Sequence, residues 1–203
     1  TVYRWNRACY GVHNGVPHLR IENRVIPSGP TIIDEIANAA FFFGMMAGMI
    51  EHYGDVRQHF KFDEVKANFL AAARDGIRAQ MNWLDDQHLT VKDLILQQLL
   101  PMAREGLEAT GIDRDDIDYY LGVLRDRVEG RRTGARWALE SLHEMGGRGT
   151  LDQRLRCLVS SMVRQQTSGK PIANWELADF CEELDWRESY QYVSQFKIGR
   201  AHV

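Results

Sequence analysis

Residues 31–53 read TIIDEIANAAFFFGMMAGMIEHY, a run with one acidic pair near its start and almost nothing but apolar residues from Ala39 to Ile50. Thr31 stands where a helix N-cap belongs, and Gly54 stands where a helix must stop. The segment is apolar almost all round, so it is predicted to be the central helix of a helical domain. Gly44 and Gly48, one turn apart, would let another element approach its backbone closely. The run Ala39–Ile50 is shorter than the roughly 20 residues that span a bilayer, which favours a buried core helix over a membrane segment.

Downstream the pattern stays helical. Further helices are predicted from about Asp63, as N-cap, to Leu84; from Thr90 to Gly111, with a kink at Pro101; and from Asp113, burying Ile117, Tyr120, Leu121 and Leu124. Three more follow: about Thr133 to Met145, Thr150 to about Thr167, and a short one from near Asn174 to about Leu184. Connections of about 2–8 residues suggest antiparallel neighbours in a bundle. Upstream the character differs. Thr1–Val12 and Val16–Ile26 are rich in β-forming and aromatic residues, and Asn14-Gly15 between them is a hairpin turn signal. A lone hairpin is marginal in water, so it is expected to pack on the helices or to belong to a larger sheet. The expected fold is α+β and predominantly α-helical: an N-terminal β-hairpin packed on a bundle of about seven helices.

Composition narrows the classes. The chain has 203 residues, 25 Lys+Arg against 28 Asp+Glu, 44% apolar and 26% charged residues. A net charge of −3 argues against a protein built mainly to bind nucleic acid, which needs concentrated basic surface. No charged stretch followed by an apolar one opens the sequence, so a signal peptide is not expected. The three cysteines, Cys9, Cys157 and Cys181, fit a reducing compartment, and a cytoplasmic location is expected. Cys157 and Cys181 are expected to be buried on apolar helical faces and inert.

The chemistry-bearing stretch is His18-Leu19-Arg20-Ile21-Glu22-Asn23-Arg24. On a strand, alternate side chains share a face, which puts His18, Arg20, Glu22 and Arg24 together. Leu19, Ile21 and Val25 then point the other way, towards the helical core, with Asn23 as a polar exception. A carboxylate between two guanidinium groups can hold Mg²⁺, while the arginines clamp a phosphoryl group. A solvated strand face with surface ion pairs shows the same alternation, and by pattern alone it is the commoner outcome. The other histidines, at 13, 52, 59, 88, 143 and 202, show no paired metal spacing and are expected in surface or cap roles. The arginines at 125, 127, 131, 132 and 136, diluted by Asp126, Glu129 and Glu140, are expected on a solvated face.

Three motifs carry a family resemblance. His18–Arg24 followed by Val25-Ile-Pro-Ser-Gly-Pro-Thr31 resembles the catalytic strand and turn of the glutamate–cysteine ligase superfamily, more closely its bacterial carboxylate–amine ligase branch. The segment Asn68-Phe-Leu-Ala-Ala-Ala-Arg-Asp-Gly76 is similar to a second family pattern, with Leu70 replacing the usual aromatic. Arg132-Thr133-Gly134-Ala135 is similar to the short segment that opens a late helix. Together the matches span about Tyr3 to Leu142.

The resemblance implies a glutamine-synthetase-like site in which Mg²⁺ and ATP phosphorylate a carboxylate, usually that of glutamate, and an amine displaces the phosphate to leave an amide. It implies Glu22 as a Mg²⁺ ligand and Arg24 as the group that holds the transferring phosphoryl. Arg20 and His18 would contact nucleotide or substrate, with Asn68, Arg74 and Arg132 near the substrate. The family's funnel needs several acidic strands, whereas one acidic strand position is clear here. The chain is therefore expected to be the C-terminal, largely helical part of such a catalytic domain, over 1–196, and inactive alone. The rest of that domain would precede it, and a pair of CBS domains could follow. Residues 197–203 match nothing in the pattern and are expected to be a foreign tail. Exposed sheet edges would favour a homo-oligomer. The alternative is a non-catalytic helical interaction or regulatory module.

Overall fold

The computed structural model describes residues 6–26 and 28–181. Six helices and two antiparallel hairpins make up this part of the chain. Strands β1 (Asn6–His13) and β2 (Val16–Asn23) pair around the Asn14-Gly15 turn, with Arg7 opposite Glu22, Cys9 opposite Arg20 and Tyr10 opposite Leu19. Both turn residues have positive φ, 50° and 77°, the geometry that matches the twist of a tight hairpin.

Helix α1 (Ile32–Tyr53) follows. The Thr31 hydroxyl caps it by accepting from the Asp34 N–H, and Gly54 closes it. Helix α2 (Phe62–Asp75) begins after Lys61 and stops before Gly76, whose φ of 56° breaks the helix, so that it ends nine residues before the predicted Leu84. The stretch predicted as its last turns instead holds β3 (Gln80–Trp83), which pairs with β4 (Gln87–Thr90) in a second hairpin. Asp63 lies in the first turn of α2 and is not its cap.

Helix α3 runs over 91–109. Thr90 caps it by accepting from the Asp93 N–H. Its middle, Ile95–Leu99, winds as a π turn just ahead of Pro101, and the helix resumes over Leu100–Ala109. A proline cannot donate to the carbonyl four residues back and its ring crowds that carbonyl. The wider turn absorbs this where a kink was expected. Helices α4 (Arg114–Glu129), α5 (Gly134–Glu144) and α6 (Leu151–Thr167) start from side-chain caps on Asp113, Thr133 and Thr150, as the sequence predicts.

The predicted seventh helix does not form over residues 175–181. A short 3₁₀ turn (Ile172–Asn174) leads into irregular chain laid across α5 and α6. That chain satisfies its backbone through side chains. Trp137 Nε1 donates to the Glu176 carbonyl at 2.7 Å, and the Ala178 N–H donates to Ser141 Oγ at 3.0 Å. Trp175 and Ala178 are buried there, so a three-residue spacing that reads as helical comes from burial of an irregular segment. The expectations for Leu184, the aromatic tail and 197–203 lie outside the described residues.

The main core joins α3 and α4 through Leu100, Ala103, Leu107, Ile117, Leu121 and Leu124, with Phe41 and Met45 of α1 packed against it. Helix α1 crosses α3 at backbone contact. A Cβ on Gly44 would run into the Ala103 carbonyl, one on Gly48 into the Met102 carbonyl, and one on Gly106 into the Gly44 carbonyl. A second core gathers Trp137, Met145, Cys157, Leu158, Ile172 and Trp175, with the two indoles edge to face at 5.1 Å.

Two expectations are corrected here. Helix α1 is central but only half covered. Ile32, Ile36, Phe43, Met46 and Ile50 are exposed, because only the glycine side is pressed against α3. The 22-residue helix is long and apolar enough to cross a membrane by length and composition, although the apolar run within it was expected to be too short. Nor does the first hairpin bury an apolar face on the bundle. Leu19 is 78% and Ile21 68% exposed, and Tyr10 and Val12 beside them are exposed too. The described helices put no surface over these strands.

A buried ion pair fastens the bundle. Asp34 is fully buried, and its Oδ2 accepts from Thr31 Oγ1 at 2.7 Å and from the Ile172 N–H at 3.0 Å. Arg127 of α4 lies 3.3 Å from Asp34 Oδ1 and donates to Asn38 Oδ1 at 2.7 Å. Removing one partner of a buried pair strands the other charge. Asp34→Ala is therefore expected to lower unfolding free energy by about 3–5 kcal/mol in urea titration. Gly44→Ala is expected to cost about 1–3 kcal/mol by the same measurement, because the helix axes must separate.

Candidate site on the first hairpin

In an antiparallel pair, directly opposed residues share a face. The β1–β2 register therefore sorts the hairpin into two unlike sides. Arg7, Cys9 and Gly11 lie on one side with Glu22, Arg20 and His18, while Ala8, Tyr10 and Val12 lie on the other with Ile21, Leu19 and Pro17. The polar side carries the predicted residues His18, Arg20 and Glu22, with Arg24 following in the same alternation.

Glu22 is the centre of this side. Arg7 Nε lies 2.8 Å from Glu22 Oε2, and Arg24 Nε lies 3.2 Å from Oε1. The Cys9 thiol donates to Oε2 at 3.7 Å. Arg24 does most to hold the Glu22 carboxyl below its ordinary value, by hydrogen bond and by charge, and Arg7 adds to it. Cys9 and Glu22 in turn raise the Arg7 guanidinium. All of these groups are at the surface, so water screens the pairs and they add little to stability. What they supply is a carboxylate fixed between two forked cations. Further along, the His18 ring lies over Gly11, where a Cβ would come within 2.7 Å of Nε2.

Sequence reasoning missed Arg7 and Cys9. The signal was present in the turn. Once Asn14-Gly15 sets a two-residue loop, the register puts Arg7 opposite Glu22 and Cys9 opposite Arg20.

The remaining predicted residues are not gathered at this site by any bond among the described residues. Asn68 pairs with the backbone of β3. Its Nδ2 donates to the Asn82 carbonyl at 2.6 Å, and its Oδ1 accepts from the Asn82 N–H at 2.9 Å. In this structure, then, Asn68 clasps the second hairpin to α2. Arg74 is exposed and forked onto Asp75, through Nε at 3.0 Å and a terminal nitrogen at 2.9 Å. Arg132 precedes the Thr133 cap of α5, and its Nε is buried with no hydrogen-bond partner. The neighbouring Gly134 faces the Pro30 ring, so this corner lies against the segment that leaves the hairpin.

No group of three or more His, Cys, Asp or Glu side chains that could hold a metal is present among the described residues. Both Glu22 oxygens are engaged, and this one carboxylate does not by itself make a Mg²⁺ site. Between α3 and α4, Leu100, Pro101, Arg104, Leu121 and Arg125 line a depression of about 150 Å³, small beside ordinary ligand pockets. Its Arg104 is already paired with Asp118 at 2.6 Å.

No protein-family model, curated protein or solved structure matches this chain. The functional reading rests on the residues and their geometry.

Two measurements test the site. The Glu22 carboxyl is expected by NMR to titrate below the ordinary glutamate value and to move back towards it more in Arg24→Ala than in Arg7→Ala. A carboxyl lowered in the folded state stabilises above its unfolded pKa, and this is lost as pH falls through the folded value. Because water screens the pair, this contribution to the hairpin is small. Asn68→Ala is expected to cost about 1 kcal/mol per hydrogen bond lost and to speed hydrogen exchange at the Asn82 amide.

Proposed function

We propose that this chain is the helical, C-terminal part of the catalytic domain of a cytoplasmic, ATP- and Mg²⁺-dependent carboxylate–amine ligase, similar to glutamate–cysteine ligases and inactive by itself. The observation that carries the reading is Glu22, held between Arg7 and Arg24 on the polar side of a strand pair whose other side is apolar and uncovered. A strand pair of this kind is half of a site. Its polar side offers charge to a ligand, and its apolar side needs a layer that the described helices do not supply.

In this reading Arg24 places positive charge where a phosphoryl group transfers from ATP to a carboxylate, with glutamate the first candidate substrate. Arg24 meets Glu22 through Nε, at 3.2 Å from Oε1. Glu22 would contribute one oxygen ligand to Mg²⁺. The described residues do not complete that ligand set, so the remaining carboxylates would come from other strands of the same domain. Arg20 and His18, on the same side, would meet nucleotide or substrate. Arg132, with its unpartnered buried Nε, and Arg74 are secondary candidates for the substrate carboxylates. CBS domains following the chain belong to the same proposal.

A second reading is a non-catalytic interaction module. The exposed apolar residues of α1 and those of the hairpin favour it, because each set is surface that a partner protein could cover.

Phosphate release separates the two. The chain joined to its upstream strands, given Mg-ATP, glutamate and a panel of amines, is expected to release phosphate only with a suitable amine. Glu22→Ala should lower the rate roughly 10²–10³-fold, the range seen when one group stabilising a transition state is removed. The 203-residue chain alone should release none. A folded, extended protein that releases no phosphate with any amine would favour the interaction module.

A further inference from the structure

Cys157 and Cys181 approach each other at the edge of the second core. Cys157 is on α6 and is 1% exposed, whereas Cys181, the last described residue, lies on the irregular segment that follows the 3₁₀ turn and is half-buried. Their sulfurs are 2.8 Å apart. The backbone holds them in register. The Cys157 thiol donates to the Cys181 carbonyl, and the Cys181 N–H donates to Cys157 Sγ, both at 3.3 Å. Closing a disulfide, with its S–S bond of about 2.05 Å, asks for roughly 0.8 Å of further approach. Neither cysteine is on the ligase-like hairpin. The sequence expectation put both thiols buried on apolar helical faces; this holds for Cys157, whereas Cys181 is half-buried on irregular chain, beside Cys157.

We propose that Cys157 and Cys181 are a modification site that closes to an intramolecular disulfide by exchange with a low-molecular-weight disulfide of the glutathione type. The half-buried Cys181 reacts first. Its thiolate attacks one sulfur of the oxidant, a mixed disulfide forms, and one small thiol leaves. Cys157 then attacks Cys181 Sγ, the mixed disulfide breaks, and the second small thiol leaves. The two protein protons end on the two released thiols, so two protein thiols are oxidised and one small disulfide is reduced. The closed bond fastens residues 172–181 across α5 and α6, where Trp137 and Ser141 already hold them by hydrogen bonds.

Burial, with the Cys157 sulfur alongside, pushes the Cys181 thiol up to about 11, so little thiolate is present at neutral pH. Exchange is correspondingly slow, on the scale of minutes to hours. In a reducing compartment the pair stays open and closes when the small-disulfide pool rises.

The test is equilibration of the reduced 203-residue chain in buffers of graded glutathione disulfide to glutathione, followed by alkylation, trypsin and mass spectrometry. Cleavage after Arg156, Arg164 and Arg187, with Lys170-Pro171 resistant, puts the two cysteines in different peptides, 157–164 and 165–187. Expected is one linked pair of these peptides, two hydrogen atoms lighter than their sum, with both thiols lost at the same buffer ratio. Cys157→Ser should stop at a glutathione adduct on Cys181. Cys181→Ser should leave Cys157 unmodified because of its burial. Protease cleavage within 172–181 should be at least tenfold slower after oxidation than before. Independent loss of the two thiols, a linked peptide containing Cys9, two free thiols at the most oxidising ratio, or equal cleavage rates would each overturn the proposal.

Discussion

The buried carboxylate of Asp34 is the fastening on which the bundle depends. It lies just inside the N-terminus of α1, where the Thr31 cap accepts from its own N–H and donates to its Oδ2. The same oxygen accepts from Ile172, 138 residues further along the chain. Its other oxygen faces Arg127 at 3.3 Å without hydrogen-bond alignment, and Arg127 Nε is also left unpartnered. Burial pulls the Arg127 guanidinium down and the Asp34 charge resists that shift. A buried charge pair is costly to assemble and more costly to break. It therefore acts as a registration device. The start of α1, the end of α4 and the segment after α6 meet correctly only when this one carboxylate is satisfied from all three.

With that end fixed, the glycine crossing sets the rest of α1. Gly44 and Gly48 bring its backbone against α3 at Ala103 and Met102, and Gly106 returns the contact. Such a crossing is specific but one-sided. It uses the small residues and leaves the large ones, Ile36, Phe43, Met46 and Ile50, pointing away. A helix apolar all round reads in sequence as a helix buried all round. Here several apolar residues that look like core are exposed, while Gly44 and Gly48, with Phe41 and Met45, face the core.

Much of the fold was legible because local chemistry decided it. Thr31, Asp113, Thr133 and Thr150 cap helices in sequence and in structure, since a hydroxyl or carboxylate at that position satisfies an amide that nothing else can reach. Asn14-Gly15 fixed the first hairpin for the same reason. What was not legible was decided by distant contacts. The β3–β4 hairpin contains no tight-turn signal of the Asn-Gly kind. It depends on Asp85 and Asp86, non-glycine residues at φ of 56° and 55°, and on the Asn68 side chain holding the Asn82 backbone from another element. The segment over 175–181 depends on Trp137 and Ser141 in the same way. At the candidate site, the face shared by His18, Arg20, Glu22 and Arg24 was readable from alternation, but the second guanidinium on Glu22 comes from the opposite strand. Asn68 shows the converse error: a residue singled out by motif is occupied by the backbone of its own fold.

The two faces of the first hairpin constrain each other. If the strands were only a solvated arm, both sides would be expected to carry polar residues, since neither would need cover. Instead Tyr10, Leu19, Ile21 and Val12 occupy the side opposite Glu22, all exposed. Exposed apolar side chains on a strand pair cost solubility and invite pairing at the open edges, and proteins ordinarily blunt such a surface with charge. Here the charge is confined to the other side, where Arg7 and Arg24 converge on one carboxylate and do not scatter along the edge. That segregation fits a strand pair held between an apolar layer and a charged ligand. The apolar residues of α1 that face away from α3 are uncovered in the same sense. Each of these apolar surfaces would be satisfied by an additional layer, whether it comes from the same polypeptide or from a partner.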